Sequence, residues 1–194
     1  AVEAFTVEAG NTVYKSSANE KYLLSADGQT LLLVAPKARG EFNLTGVTKI
    51  GLGAFAGNNA ITSVYMPDVT EVGDYAFAEC TTLGSITLGE LTKIGKYSFF
   101  LTNITELPSL KYVSVIGDYA FSFTYITEVN IGDGVVIGEG AFCECTELKK
   151  VTIGNNVTIG NSAFLRGTTT MNPRNPSEYL NLGTKAIEDI ESGF

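Results

Sequence analysis

The stretch Val72-Gly73-Asp74-Tyr75-Ala76-Phe77 decides the fold, because its pattern returns along the chain: apolar residue, Gly, two variable positions, small residue, Phe. The other copies begin at Ile50, Ile94, Ile116, Ile137 and Ile159 and close on Phe55, Phe99, Phe121, Phe142 and Phe164. The closing phenylalanines stand 22, 22, 22, 21 and 22 residues apart. A unit this short cannot bury its own apolar side, so it must stack on its neighbours, and a regular period of this kind specifies a solenoid. The Phe residues are expected inside, stacked as a spine.

After Phe77 the inward positions fall at Cys80, Leu83, Ile86, Leu88, Leu91 and Ile94, and the copies after Phe55 and Phe142 follow the same order. Steps of three and two are too irregular for an amphipathic helix. The step of two across Ile86-Thr87-Leu88 is a short strand with both ends inward. Gly, Asp and Asn lie between these segments, where the coil must turn. Each coil should therefore hold one short parallel strand, a second extended stretch at the Ile-Gly pair, and tight turns.

Two coils deviate. After Phe99 the apolar residues come early, at Ile104 and Leu107, and after Phe121 they come early at Ile126 and Val129. Each has lost one residue from the turn after the Phe. The first regains it before Ile116; the second does not, which accounts for the single 21-residue spacing.

Residues 1–45 lack the repeat and read as an N-terminal β cap. Asp27-Gly28 between the apolar runs 22–26 and 30–34 is a hairpin signal, and Val13-Tyr14 supplies a further strand. Residues 46–167 form the solenoid. Residues 168–194, with Pro173, Pro176 and a short helix expected from Thr184 to Ser192, read as an irregular C-terminal cap.

The Ile-Gly-x-x-Ala-Phe element, with Cys or Asn three residues on and Leu-x-x-Ile-x-Leu after it, resembles the BspA-type leucine-rich repeat of bacterial surface proteins. The stretch from Leu24 to Leu31 also resembles what precedes such arrays. The resemblance implies a mainly β, right-handed solenoid of about six 22-residue coils with short parallel strands. It further implies a secreted or cell-surface protein and, for some members, binding to host extracellular proteins. No catalytic motif comes with it.

Composition narrows the chemistry. The chain has 13 basic and 21 acidic residues, a net charge of -8, which argues against nucleic acid or an anionic membrane as the main partner. The longest apolar run, Leu31 to Ala35, is far too short to span a bilayer. The chain begins Ala1-Val2-Glu3 without Met or a legible signal sequence, and reads as a mature or trimmed chain whose signal has been removed; a monomer is expected. There is no histidine, which removes Ser-His-Asp and Cys-His machinery and His-ligated zinc. No phosphate-loop motif occurs, Cys143-x-Cys145 lacks zinc-knuckle spacing, and Glu188 and Asp189 lie in the charged tail. No enzyme, cofactor or metal is expected. The sequons at Asn43, Asn103 and Asn156 read as chance.

Cys80 and Cys145 each sit three residues after a repeat Phe, in an inward slot, and Cys143 is expected to point outward. Cys80 and Cys145 lie about 14 Å apart at ~4.8 Å per coil, beyond the ~7 Å Cα reach of a disulfide. All the cysteines should be reduced.

Two surfaces remain as candidates. On the outward strand face, neighbours should stack as Ser63, Ser85, Glu106, Glu128, Lys150 and as Tyr65, Thr87, Pro108, Asn130, Thr152. This is either an ordinary polar sheet face or, as solenoids commonly use it, a ligand surface. Tyr75, Tyr97 and Tyr119 should form a ladder, and Phe100, Leu101, Phe123 and Tyr125 add apolar bulk at the shortened turns. The missing residue there is read as drawing these rings into the core; left outside, they would mark a partner site. The leading function is a non-enzymatic cell-surface or secreted module binding an extracellular protein. Its candidate contacts are Tyr65, Phe100, Glu106, Phe123, Tyr125, Glu128, Asn130 and Lys150. A carbohydrate-binding module, weakened by the absence of Trp, and a passive structural spacer are the alternatives.

Overall fold

The Asp27-Gly28 turn starts the architecture. In this computed structural model, which describes residues 2–165 except 108, it joins β2 (Tyr22–Ser25) to β3 (Thr30–Val34), with β1 (Tyr14–Ser16) on the outer edge. The pairs are antiparallel. Gly28 takes φ +76°, a backbone state costly for residues with a Cβ. The Asp27 carboxylate ties the loop by accepting the Gln29 N–H at 2.9 Å.

From β3 onward pairing is parallel, and strands line a second face of the coils as well. One face carries β4 (Gly40–Asn43), β6 (Ile61–Met66), β8 (Ser85–Leu88), β11 (Glu128–Ile131) and β13 (Lys150–Ile153). The other contains the two-residue strands β5 (Lys49–Ile50), β7 (Glu71–Val72), β9 (Lys93–Ile94), β10 (Val115–Ile116), β12 (Val136–Ile137) and β14 (Thr158–Ile159). Because β3 pairs in parallel with β5, the hairpin and the short strands form one continuous nine-stranded sheet. The Gly after each short strand permits that stacking: a Cβ on Gly95 would lie 2.5 Å from the Asp74 backbone nitrogen. There is no α-helix among the described residues. The helix expected over 184–192, and the whole segment 168–194, lie outside them.

Phe55, Phe77, Phe99, Phe121, Phe142 and Phe164 are all buried and stack in one file. Successive ring centroids are 4.7, 5.3, 5.1, 5.3 and 5.1 Å apart, with planes within 16° of parallel. Each ring contributes on the order of 1.5–3 kcal/mol by burial, so the spine is the main apolar column of the rod.

Three residues after each Phe from Phe55 to Phe142, the slot holds a buried side chain that donates to a backbone carbonyl. Asn58 donates to Ala38 (3.2 Å), Cys80 to Phe55 (3.1 Å), Thr102 to Phe99 (2.9 Å) and Thr124 to Phe121 (2.7 Å). Thr102 and Thr124 thus keep the slot filled in the shortened turns. The deletion is absorbed after the slot, at Asn103 and Tyr125, and the aromatic residues are not drawn into the core as expected. A second expectation also fails: Cys143 is buried, not outward. The turn is closed by Cys143 N–H to Gly140 carbonyl at 2.9 Å, and a tight turn does not alternate in and out as a strand does. The cysteines are free, as expected.

The outward strand face is not one ladder. It divides into β4-β6-β8 and β11-β13, and the third coil contributes only an isolated bridge, Leu110 to Ile131. In the flanking coils one residue separates the paired core positions, as in Ile86-Thr87-Leu88 and Val129-Asn130-Ile131. In the third coil two residues separate Leu107 from Leu110, so this is where the lost residue is regained. One of the two is Pro108, which has no N–H to give a ladder.

Candidate functional site

The interrupted ladder decides where the candidate contacts lie. Glu128 faces Lys150 and Asn130 faces Thr152 in the β11–β13 register, and Lys150 Nζ stands 3.6 Å from Glu128 Oε2. Tyr65 faces Thr87 in the other sheet, between β6 and β8. The expected unbroken rows through Glu106 and Pro108 are therefore corrected to two short rows with a gap. Beside the gap lies a cleft of about 360 Å³, bordered by Leu107, Leu110, Lys111, Glu128, Asn130 and Ile131. Glu106 is exposed next to it.

The aromatic side chains come together on the turn side of the same coils. Tyr75, Tyr97 and Tyr119 form the ladder, with centroids 5.0 and 5.1 Å apart and planes within 15° of parallel. Phe100 meets Tyr97 edge-on at 5.6 Å, and Phe123 meets Phe100 edge-on at 5.7 Å. These five rings form one connected system, and Phe100 and Phe123 are part of it. Burial, then a 2.9 Å hydrogen bond donated to Glu139, pushes the Tyr119 hydroxyl's pKa up. That hydroxyl therefore stays protonated at neutral pH.

Two positions of every turn hold left-handed backbone. The first is the ladder position: Gly53 (φ 59°), Tyr75 (56°), Tyr97 (53°), Tyr119 (54°), Gly140 (57°) and Ser162 (56°). The second, two residues after each Phe from Phe55 to Phe142, is Gly57 (69°), Glu79 (60°), Leu101 (56°), Phe123 (58°) and Glu144 (60°). Each N–H of this second row reaches back to the next coil: Glu79 to Phe100 carbonyl (2.8 Å), Leu101 to Ser122 (3.1 Å), Phe123 to Cys143 (3.0 Å). A bulky residue in this conformation costs roughly 1–2 kcal/mol that Gly avoids. Leu101 and Phe123 carry that cost while remaining 38% and 41% exposed, and neighbouring Tyr125 is 49% exposed. Phe100 is half-buried beneath them.

Glu79 and Glu144 were missed by sequence reasoning. The signal was available in the column of residues two after each repeat Phe. Among the described residues no group of three or more Cys, Asp or Glu side chains is arranged to hold a metal. The cysteines offer no nucleophile: burial pushes the thiols of Cys80 and Cys143 up to about 12 and that of Cys145 up to about 11. No helix among the described residues is long and apolar enough to cross a membrane.

Coils of about 22 residues, one ladder strand per coil and a stacked phenylalanine spine define a leucine-rich-repeat solenoid. The chain belongs to the BspA type leucine-rich repeat family, whose model matches in six copies over residues 48–172. A leucine-rich repeat protein from Bacteroides ovatus shares the fold at TM-score 0.55 and 22% identity, over 78% of this chain and 43% of that one. The pneumococcal vaccine antigen PcpA does so at 0.52 and 19%, over 81% and 36%. The leucine-rich repeat protein of T. pallidum does so at 0.51 and 17%, over 95% of both chains. The chain thus spans less than half the length of the first two. No curated protein matches it.

Proposed function

We propose that the chain is a non-enzymatic binding module of a secreted or surface-held bacterial protein, and that its third and fourth coils contact an extracellular protein. The observation that carries this reading is the pair Leu101 and Phe123. Both are large, apolar and exposed, and both occupy a left-handed position that the first coil fills with Gly57. The turn backbone itself asks for no side chain there. Phe100 and Tyr125 extend the apolar area, and Glu106, Glu128, Asn130 and Lys150 supply polar groups on the adjoining strand face. Aromatic area beside orienting charge is the composition of a protein-binding hot spot. Tyr65 sits in the other sheet and is the outlying member of the set. Membership in the family, and the likeness to a pneumococcal antigen, support the extracellular setting.

The test is an array of extracellular proteins read by biolayer interferometry, followed by variants against any binder. Leu101→Gly should leave the thermal midpoint nearly unchanged, Phe123→Gly should lower it slightly through the lost Phe100 contact, and each should weaken binding at least ~10-fold, a loss of about 1.4 kcal/mol. Glu106→Lys with Glu128→Lys should weaken it as well, and Ser85→Lys should not. A binder that holds the Gly variants as tightly as the parent refutes the site.

A glycan is the second reading, on one observation. Tyr75 ends the ladder next to Gly53, so no ring from the preceding coil covers its outer side, and it is 46% exposed. An open ring face suits sugar stacking. Glycan-array signal abolished by Tyr75→Ala would favour it over the protein partner; array silence would dismiss it.

A further inference from the structure

We infer that the partner surface is cationic: an apolar side chain seated on Leu101 and Phe123, with Lys or Arg on both sides of it. This rests on the binding site proposed above and adds the chemistry of its occupant.

The argument comes from the row in which those two residues stand. Backbone hydrogen bonds put Glu79, Leu101, Phe123 and Glu144 in successive coils at one turn position. A carboxylate therefore flanks the apolar pair on each side, one coil away, at a spacing of ~4.8 Å per coil. The two carboxylates bracket a strip about 14 Å long, the length of four or five extended residues at ~3.3 Å each.

Three features separate this bracket from ordinary surface charge. Glu79 and Glu144 hold left-handed backbone (φ 60° in both), although Gly57 shows that the turn needs no side chain there. Neither makes an ion pair: among the described residues those involve Lys37, Lys49, Lys96 and Lys150. None of the described members of the row is Lys or Arg; the next position after Glu144 is Arg166, outside the described residues, and Glu79 has no cation beside it in the row. A partner carrying acidic residues at the same places would meet like charges on a surface being dried by contact, which costs binding. Lys or Arg would be attracted instead, and Arg would gain further from the Tyr97 and Phe100 rings beneath. The chain's net charge of -8 adds long-range attraction of the same sign.

The experiment uses three fluorescein-labelled peptides with a shared Phe-Leu-Phe centre, flanked on both sides by two lysines, two glutamines or two glutamates, titrated into the full chain by anisotropy at 50 and 300 mM NaCl. The lysine peptide should bind at least ~10-fold tighter than the glutamine one, with the advantage shrinking at high salt, and the glutamate peptide should not bind. Glu79→Gln with Glu144→Gln should remove most of the advantage. Glu8→Gln with Glu41→Gln, of equal charge change elsewhere, should not. If the bracket variant binds the lysine peptide as the parent does, or the distant variant loses as much, the cationic inference falls. In that case a loss on Phe123→Gly would still uphold the apolar site. If Phe123→Gly binds the lysine peptide undiminished, the site and the inference fall together. Circular dichroism of each variant guards against reading misfolding as lost binding.

Discussion

Truncating Phe99 to Ala tests the spine that organises every other feature. Phe99 is 1% exposed and stacked on both faces, against Phe77 at 5.3 Å and Phe121 at 5.1 Å. Removing a buried Phe ring costs about 3–5 kcal/mol through lost transfer energy and the cavity left behind. Two aromatic pairs, worth roughly 0.5–1.5 kcal/mol each beyond area, place Phe99 toward the upper end. For a chain of this size, each kcal/mol moves the thermal midpoint by about 2–4 °C, so the expected drop is about 8–20 °C. Phe164 has one ring partner among the described residues, Phe142, and its truncation should cost less. The assay is urea unfolding followed by circular dichroism and tyrosine fluorescence, since the chain has no Trp. Coils couple only to their neighbours, so a central gap should also lower cooperativity and flatten or split the transition. A loss under ~1 kcal/mol for Phe99→Ala, or an equal or larger loss for Phe164→Ala, would refute the spine as the main source of stability.

The other predictions follow from burial and geometry. Cys80 and Cys143 titrate at about 12 and Cys145 at about 11 in the folded chain, against 9.0 when unfolded. Above pH 9 the unfolded chain gives up these protons first, so stability that is full below pH 9 falls as pH rises, by up to ~1.4 kcal/mol per pH unit per thiol. Replacing all three with Ala should flatten the alkaline limb of a stability–pH curve; parallel limbs would mean the thiols are accessible. Gly140→Ala places a Cβ 2.7 Å from Tyr119 Cδ1 at a φ of 57°, and should cost about 1–3 kcal/mol. Tyr119→Ala should relieve part of that cost in a double-mutant cycle, and strict additivity would show that the ring does not press on that position.

The local repeat was enough to read the solenoid, the inward Phe file, the parallel strands, the cap hairpin at Asp27-Gly28 and the reduced cysteines. Each of these follows from spacing alone: a coil that cannot close its own core must superpose like on like. The Glu128–Lys150 pairing was legible for the same reason, since both coils keep one register through their strands. Three things needed the folded chain. The turn around Phe142 buries Ala141, Phe142 and Cys143 in succession, because tight turns break in–out alternation, and this put Cys143 inside. The third coil regains its missing residue between Leu107 and Leu110, and that local choice breaks a ladder assumed continuous. Thr102 and Thr124 fill the slot that would otherwise have drawn aromatic side chains inward, so Leu101, Phe123 and Tyr125 stay at the surface. In each case several arrangements satisfy the pattern equally well, and the choice among them depends on backbone dihedrals and on packing between coils.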